Sequence, residues 1–249
     1  MTPSELLDCF AAAADAQRAA LASLTGVERR ARTDRAGQYH LDTIADAAVM
    51  PVLTELPVRV LSEESGWTGD PEADVTVVVD PVDGSTNCAR GIPYWGISVC
   101  ALDADGPICA YVENGATRAR YTAIAGEGAW LDGEPLTPSG VADVERAVVA
   151  IVGMPPRVPA WRQFRSLGSA AVAVCDVAAG SLDGFLDCTD DLHAVWDYLG
   201  ALLVCRESGA CIVDARDREL VLTDAEARRQ PVAAATPDLL DALRAALTP

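Results

Sequence analysis

The densest run of side chains able to do chemistry is Asp80-Pro81-Val82-Asp83-Gly84-Ser85-Thr86-Asn87. It follows the β-branched run Val75 to Val79, which reads as a buried strand that ends at an acid and breaks into a turn. Two carboxylates in such a bend can converge on one hard cation, since Mg²⁺ takes oxygen ligands in octahedral geometry. Gly84 permits close backbone approach, and N–H groups at Gly84 and Ser85 would face an anion if a helix starts there. Asp, Pro, Gly, Ser and Asn are also ordinary turn formers, so the motif alone is equally compatible with a polar turn.

Other acids shift that balance. Glu63-Glu64 follows the apolar Val58-x-Val60-Leu61, a second pair of acids at a strand end, although solvated charge accounts for that pair by itself. Asp197 lies in a stretch whose inner face includes Leu199, Leu202, Leu203 and Val204, and a carboxylate beside so much apolar surface needs a partner. It would also serve as an acid near a helix start, complementing the dipole. The eight cysteines show no CxxC pair and no Cys/His ligand spacing, so they read as buried free thiols. With two histidines, His40 and His193, a histidine-based triad or metal site has little material.

These residues need elements to carry them. A Thr2-x-x-Glu5 capping box opens an amphipathic helix over 3–24, and a second helix is expected over about 42–56. Strand signals at 96–102 and 108–112 flank a hairpin turn, and 120–125 and 129–131 extend the meander. Residues 1–140 thus read as helices on a mostly antiparallel sheet that carries the acids. Residues 141–249 alternate strands (148–152, 184–188, 211–213, 220–222, 232–235) with helices (169–179, 192–207 and a closing helix capped by Thr236-Pro237), completing the site.

The composition narrows the classes of partner. A formal net charge of -18 argues against broad contact with nucleic acid, whose phosphates are bound by clustered cations, and favours cations as guests. A small anion remains compatible if a local metal cluster reverses the field. No apolar run reaches membrane-spanning length and no basic segment precedes an apolar core at the N-terminus, so a cytoplasmic protein without membrane contact is expected. No GxxxxGK[ST] run exists, which disfavours a P-loop kinase.

Taken together, Glu63-Glu64, the turn from Asp80 to Asn87, and Trp196-Asp197 through Gly200 to Glu207-Ser208-Gly209 resemble the ordered motifs of the inositol monophosphatase family. The segment from His40 to Asp46 is similar to that family's DLVTxxD step. The resemblance implies an α/β (α+β) chain folded as a layered α/β/α/β/α sandwich of the sugar-phosphatase type, homodimeric and loaded with two or three Mg²⁺ ions. Glu63, Asp80 and the Val82 carbonyl would hold one ion, and Asp80, Asp83 and Asp197 another. Glu63 and the Ser85 hydroxyl would orient and deprotonate a metal-activated water, with Asp46 polarising Ser85. Asp83, Gly84, Ser85, the Gly168-Ser169-Ala170 step and Asp187 would bind substrate. Ser85 stands where Thr is commoner and Arg90 where His is frequent. The implied reaction is hydrolysis of a small phosphate monoester, inositol monophosphate or a similar sugar or polyol phosphate. Histidinol phosphate and 3'-phosphoadenosine 5'-phosphate are alternatives, the latter weakened by Thr86-Asn87, as is a regulatory or binding protein on the same fold.

Overall fold

The computed structural model describes residues 1–248. The chain runs α1 (Pro3–Ala22), α2 (Gly26–Arg30), α3 (His40–Leu53), β1 (Arg59–Ser62), β2 (Gly66–Gly69), β3 (Thr76–Asp83), α4 (Ser85–Arg90), β4 (Gly96–Asp103), β5 (Gly106–Asn114), β6 (Arg120–Ile124), β7 (Gly128–Leu131) and β8 (Glu134–Pro135). It continues with β9 (Val148–Val152), β10 (Gln163–Arg165), α5 (Ala170–Ala178), β11 (Gly184–Asp187), α6 (Val195–Ser208), β12 (Cys211–Asp214), β13 (Pro231–Ala234) and α7 (Pro237–Ala245). The first eight strands form one sheet, β2-β1-β3-β4-β5-β6-β7-β8, in which only the β1–β3 pair is parallel. The second sheet has the order β10-β9-β11-β13-β12.

Three buried clusters define the layers. Leu6, Phe10 and Ala14 of α1 and Val49 and Leu53 of α3 pack on Val77, Val79, Val99 and Tyr111 of the first sheet. On its other face, α5 and α6 form a central layer between the sheets, where Val172, Leu199 and Leu202 meet Val78, Val112 and Phe185. Leu239, Leu240 and Leu243 of α7 close the outer face of the second sheet over Val149, Leu186 and Val232. The result is the α/β/α/β/α sandwich. Because helices cover both faces, β3 and β4 are apolar on both sides rather than alternating, which is why they read as continuous hydrophobic runs. The change of pattern near residue 140 coincides with the passage between sheets, yet α6 packs across the first sheet and the central core is shared.

Some expectations shift in detail. Residues 220–222 form no strand, because Leu220 and Val221 donate their N–H groups to the Glu219 carboxylate instead of to a ladder. The short α2 was not anticipated, although its Thr25/Glu28 capping box is written in the sequence. All eight cysteines are free, five of them buried. Among the described residues, no helix is long and apolar enough to cross a membrane.

One contact sets how closely the halves meet. Gly200 of α6 lies so near β4 that a Cβ there would stand 2.9 Å from Ser98 Oγ and 3.2 Å from the Val99 carbonyl oxygen. A mid-helix glycine costs about 1 kcal/mol relative to alanine, so this one is kept for fit. Gly200→Ala is expected to destabilise the chain by about 1–3 kcal/mol despite its better helix propensity, because overpacking outweighs it. Urea denaturation checks this, and a variant as stable as the parent would refute the close-contact account.

Candidate metal and phosphate site

The site begins with a defect in β3. Residues three apart on a regular strand face opposite sides of the sheet. Here Asp80 pairs with Ser98 while Asp83 pairs with Gly96, so three steps along β3 match two along β4, and the extra residue is a bulge. Pro81, which has no N–H to give a ladder, sits within it. The bulge turns both carboxylates toward α6, where Asp197 occupies the first turn. Oxygen atoms of Asp80, Asp83 and Asp197 lie within 4.8 Å of one another.

Each acid is fixed by a separate device. Asp80 Oδ1 accepts from the Val82 N–H at 2.8 Å, tying the bulge that also contains the Val82 carbonyl. Asp83 Oδ2 accepts from Ser169 Oγ at 2.6 Å and from the Ala171 N–H at 2.7 Å, so the start of α5 holds it. Asp197 Oδ2 accepts from the Ala194 N–H at 2.7 Å at the start of α6, where its charge also complements the helix dipole. Glu63 follows β1 and lines a cavity of about 220 Å³ together with Asp42, Glu64 and Ser85. Gly84, in a left-handed conformation at φ +86°, forms the corner before α4, and a Cβ there would stand 2.7 Å from the Gly168 carbonyl oxygen. Asn87 then donates its side-chain N–H groups to the Tyr94 carbonyl at 2.6 Å and the Leu167 carbonyl at 2.7 Å, stitching the turn to the 167–170 step.

Several expected roles change. Asp46, anticipated as the partner of Ser85, instead accepts from Ser62 Oγ at 2.5 Å and Ser65 Oγ at 3.2 Å. The acid of α3 that shares the cavity with Ser85 is Asp42, one helical turn earlier. Its Oδ2 caps Tyr39 N–H at 2.8 Å, and its Oδ1 is buried without a partner. Asp187, anticipated as a contact to substrate hydroxyls, is fully buried and committed to His193 Nδ1 and the Thr189 N–H, both at 2.8 Å. Ser169 and Ala170 are buried too, and the Ser169 hydroxyl serves Asp83 rather than an open pocket. In the acidic 188–193 segment, Asp190 and Asp191 pair with Arg216 and Asp191 also with Arg218.

The electrostatics are those of acids held together against their repulsion. Burial, then the charges of Asp197 and Glu64, push Glu63 up to about 8, opposed by a hydrogen bond with Asp80. Burial raises Asp197 to about 6, with His193 opposing and Asp83 adding to the shift. Asp80 is raised well above the carboxylate range by burial and by Glu63 and Asp83. Burial raises Asp42 to about 7, against its bond from Tyr39. Burial disfavours a charged His193, but Asp187, Asp197 and Asp83 outweigh it and raise its pKa. A buried group of hard oxygen donors with so little countercharge fits a divalent cation of the Mg²⁺ type.

A sign follows for the metal-free chain. Glu63 and Asp197 hold their protons more tightly when folded than unfolded, so the stability they add is complete below about pH 4 and is lost as the pH climbs. The loss accumulates from there and is complete near the folded values, about 6 for Asp197 and about 8 for Glu63. In EDTA the melting temperature is therefore expected to fall between pH 5 and 8 by more than in Glu63→Gln, and added Mg²⁺ should restore most at the alkaline end. Differential scanning calorimetry across that range reads both, and a pH-independent Mg²⁺ effect would contradict the assignment.

The chain has known relatives. The chain is 33% identical over 223 residues to a fructose-1,6-bisphosphatase/inositol-1-monophosphatase of Methanothermobacter thermautotrophicus, covering 80% of this chain and 79% of that one. It is 28% identical over 192 residues to the Nus factor SuhB of Escherichia coli K12, with 70% of each covered. A solved structure from Pyrococcus horikoshii, a hypothetical protein with similarities to inositol-1 monophosphatase, superposes at a TM-score of 0.89 over 100% of both chains at 24% identity, which bears on the fold. The model of the inositol monophosphatase family matches residues 7–248, and the chain belongs to that family.

Proposed function

We propose that this chain is a Mg²⁺-dependent phosphatase that hydrolyses a small phosphate monoester, inositol monophosphate or a similar sugar or polyol phosphate. The observation that carries the reading is the convergence of Asp80, Asp83 and Asp197 within 4.8 Å, beside a cavity lined by Glu63 and Ser85. The relative from Methanothermobacter, whose name joins a sugar bisphosphatase with an inositol phosphatase, supports a small phosphorylated polyol as substrate class. A cytoplasmic homodimer is the setting this reading assumes.

Asp80, Asp83 and Asp197 would hold one cation, and Glu63, Asp80 and the Val82 carbonyl another. Bound there, the cations would neutralise phosphate charge and acidify water. The residues of the chain do the rest. The Asn87 and Cys88 N–H groups of α4 bond the Gly84 carbonyl, which leaves those of Ser85 and Thr86 to be directed to phosphate oxygens together with that of Gly84. The Glu63 carboxylate and Ser85 Oγ orient the attacking water in line with the leaving oxygen, and Glu63 takes its proton. Asp42, in the same cavity, polarises the Ser85 hydroxyl. No side chain need form a covalent bond to phosphorus.

The decisive experiment is phosphate release with Mg²⁺ across inositol, sugar, histidinol and nucleotide monophosphates. Activity on at least one is expected, falling at least about 100-fold in Asp83→Asn and Glu63→Gln, the scale expected when a charge-stabilising group is removed. Silence across the panel would instead favour a regulatory protein, a reading to which the SuhB relative gives some weight. A second comparison separates the two helix acids. Asp42→Asn is expected to lower kcat at least about tenfold with the fold intact, as loss of a polarising partner does. Asp46→Asn should chiefly lower stability through its lost serine bonds. Equal kcat in both variants would return the role to neither acid.

A further inference from the structure

All 19 cationic side chains of this sequence are arginines, against 37 acids. Arg30, Arg32 and Arg90 line a single open cavity of about 580 Å³ with Tyr39 and Ile92, and no acid is among its lining residues. None of the three forms a salt bridge among the described residues, a state they share with most arginines of the chain, the paired ones being Arg18, Arg35, Arg216, Arg218 and Arg244. Arg32 lies 3.4 Å over the Tyr39 ring and donates to the Gly37 carbonyl, which fixes it in place. Arg90 ends α4 and Arg30 ends α2, and neither makes a side-chain hydrogen bond among the described residues.

We propose that this cavity is a second anion site, built for a phosphate group. Three like charges brought together in one cavity wall that holds no acid, with only the buried Asp42 acting on Arg32 from behind, are arranged at an electrostatic cost that a bound dianion removes. Guanidinium forks match phosphate oxygens bidentately, which makes this the ligand class the cavity recognises. Its position is adjacent to the catalytic cavity. Arg90 lies ~7.5 Å along α4 from Ser85, at about 1.5 Å of rise per residue. Between the two cavities runs the hairpin closed by the Arg32–Tyr39 bridge, which presents Arg35 and Gln38 to the catalytic cavity and Arg32 to the other. The phosphate has two sources with the same chemistry: the far phosphate of a bisphosphorylated sugar substrate, or a separate phosphorylated small molecule. Only the first of these rests on the phosphatase reading.

The test uses inorganic phosphate as the probe and the whole protein in EDTA, where the carboxylate centre repels anions. Isothermal titration at low salt is expected to show one saturable site. In Arg30→Gln/Arg90→Gln its affinity should fall at least about tenfold, and in the remote Arg146→Gln, which removes charge elsewhere, it should not change. No saturable binding in the parent, or equal binding in the double variant, overturns the proposal whatever the catalytic activity. Steady-state kinetics with Mg²⁺ then assign the source. A rise of at least about tenfold in KM for a sugar bisphosphate, with inositol monophosphate within twofold, places the far phosphate of substrate there. Unchanged KM for both, with the titrated site lost, assigns it to a separate phosphorylated ligand.

Discussion

Everything around the site answers to one constraint: carboxylates that repel one another must be held close in a place with little water. Asp80 and Asp83 reach the same side only because β3 bulges at Pro81, and Asp197 reaches them only because Gly200 lets α6 lie against β4. The surrounding hydrogen bonds are directed at the same difficulty. Ser169 and Ala171 stabilise Asp83, Val82 stabilises Asp80 and Ala194 stabilises Asp197, each leaving oxygen lone pairs free. Such preorganisation places the cost of assembling like charges on the fold rather than on the chemical step.

The secondary supports account for the arrangement of the outer parts. His193, the single buried histidine, is held by Asp187 and lies close enough to Asp197 and Asp83 to moderate their repulsion. Asp187 is therefore an orienting group at a strand end, not a free ligand. Arg216 and Arg218 hold down the acidic segment before α6, so that the turn delivering Asp197 is tethered from outside as well as capped from within. On the opposite side, Glu64 accepts from Gln38 and Arg35, tying the 31–39 hairpin over the catalytic cavity.

Much of this was legible in the residues. Asp197 stands out because a carboxylate set beside apolar surface is costly unless a cation or a hydrogen-bond donor meets it, the Asp80–Asn87 turn by its density of acids and Glu63 only by resemblance, and the capping boxes and β-branched runs located most elements. What was not legible depended on partners distant in the chain. Asp42 and Asp46 are a turn apart on one helix face, so periodicity cannot tell which one faces Ser85; the choice is set by where α3 begins, at Tyr39. Asp187 reads as an open ligand until His193 folds back onto it. The strand expected at 220–222 is lost to a side-chain acceptor, Glu219, which no propensity weighs.

The placement of Asp197 has a mechanical meaning. It is the one acid of the cluster that comes from the second half of the chain, while Asp80 and Asp83 come from the first. A cation shared among them would act as a removable rivet through the sandwich, present only when the folded chain closes on it. Thermodynamic reciprocity then binds rigidity to occupancy: whatever prises α6 from the first sheet weakens the ion's hold by the same factor that the ion's departure loosens the helix. Breathing between the layers and the supply of divalent cations would thus be two handles on a single equilibrium.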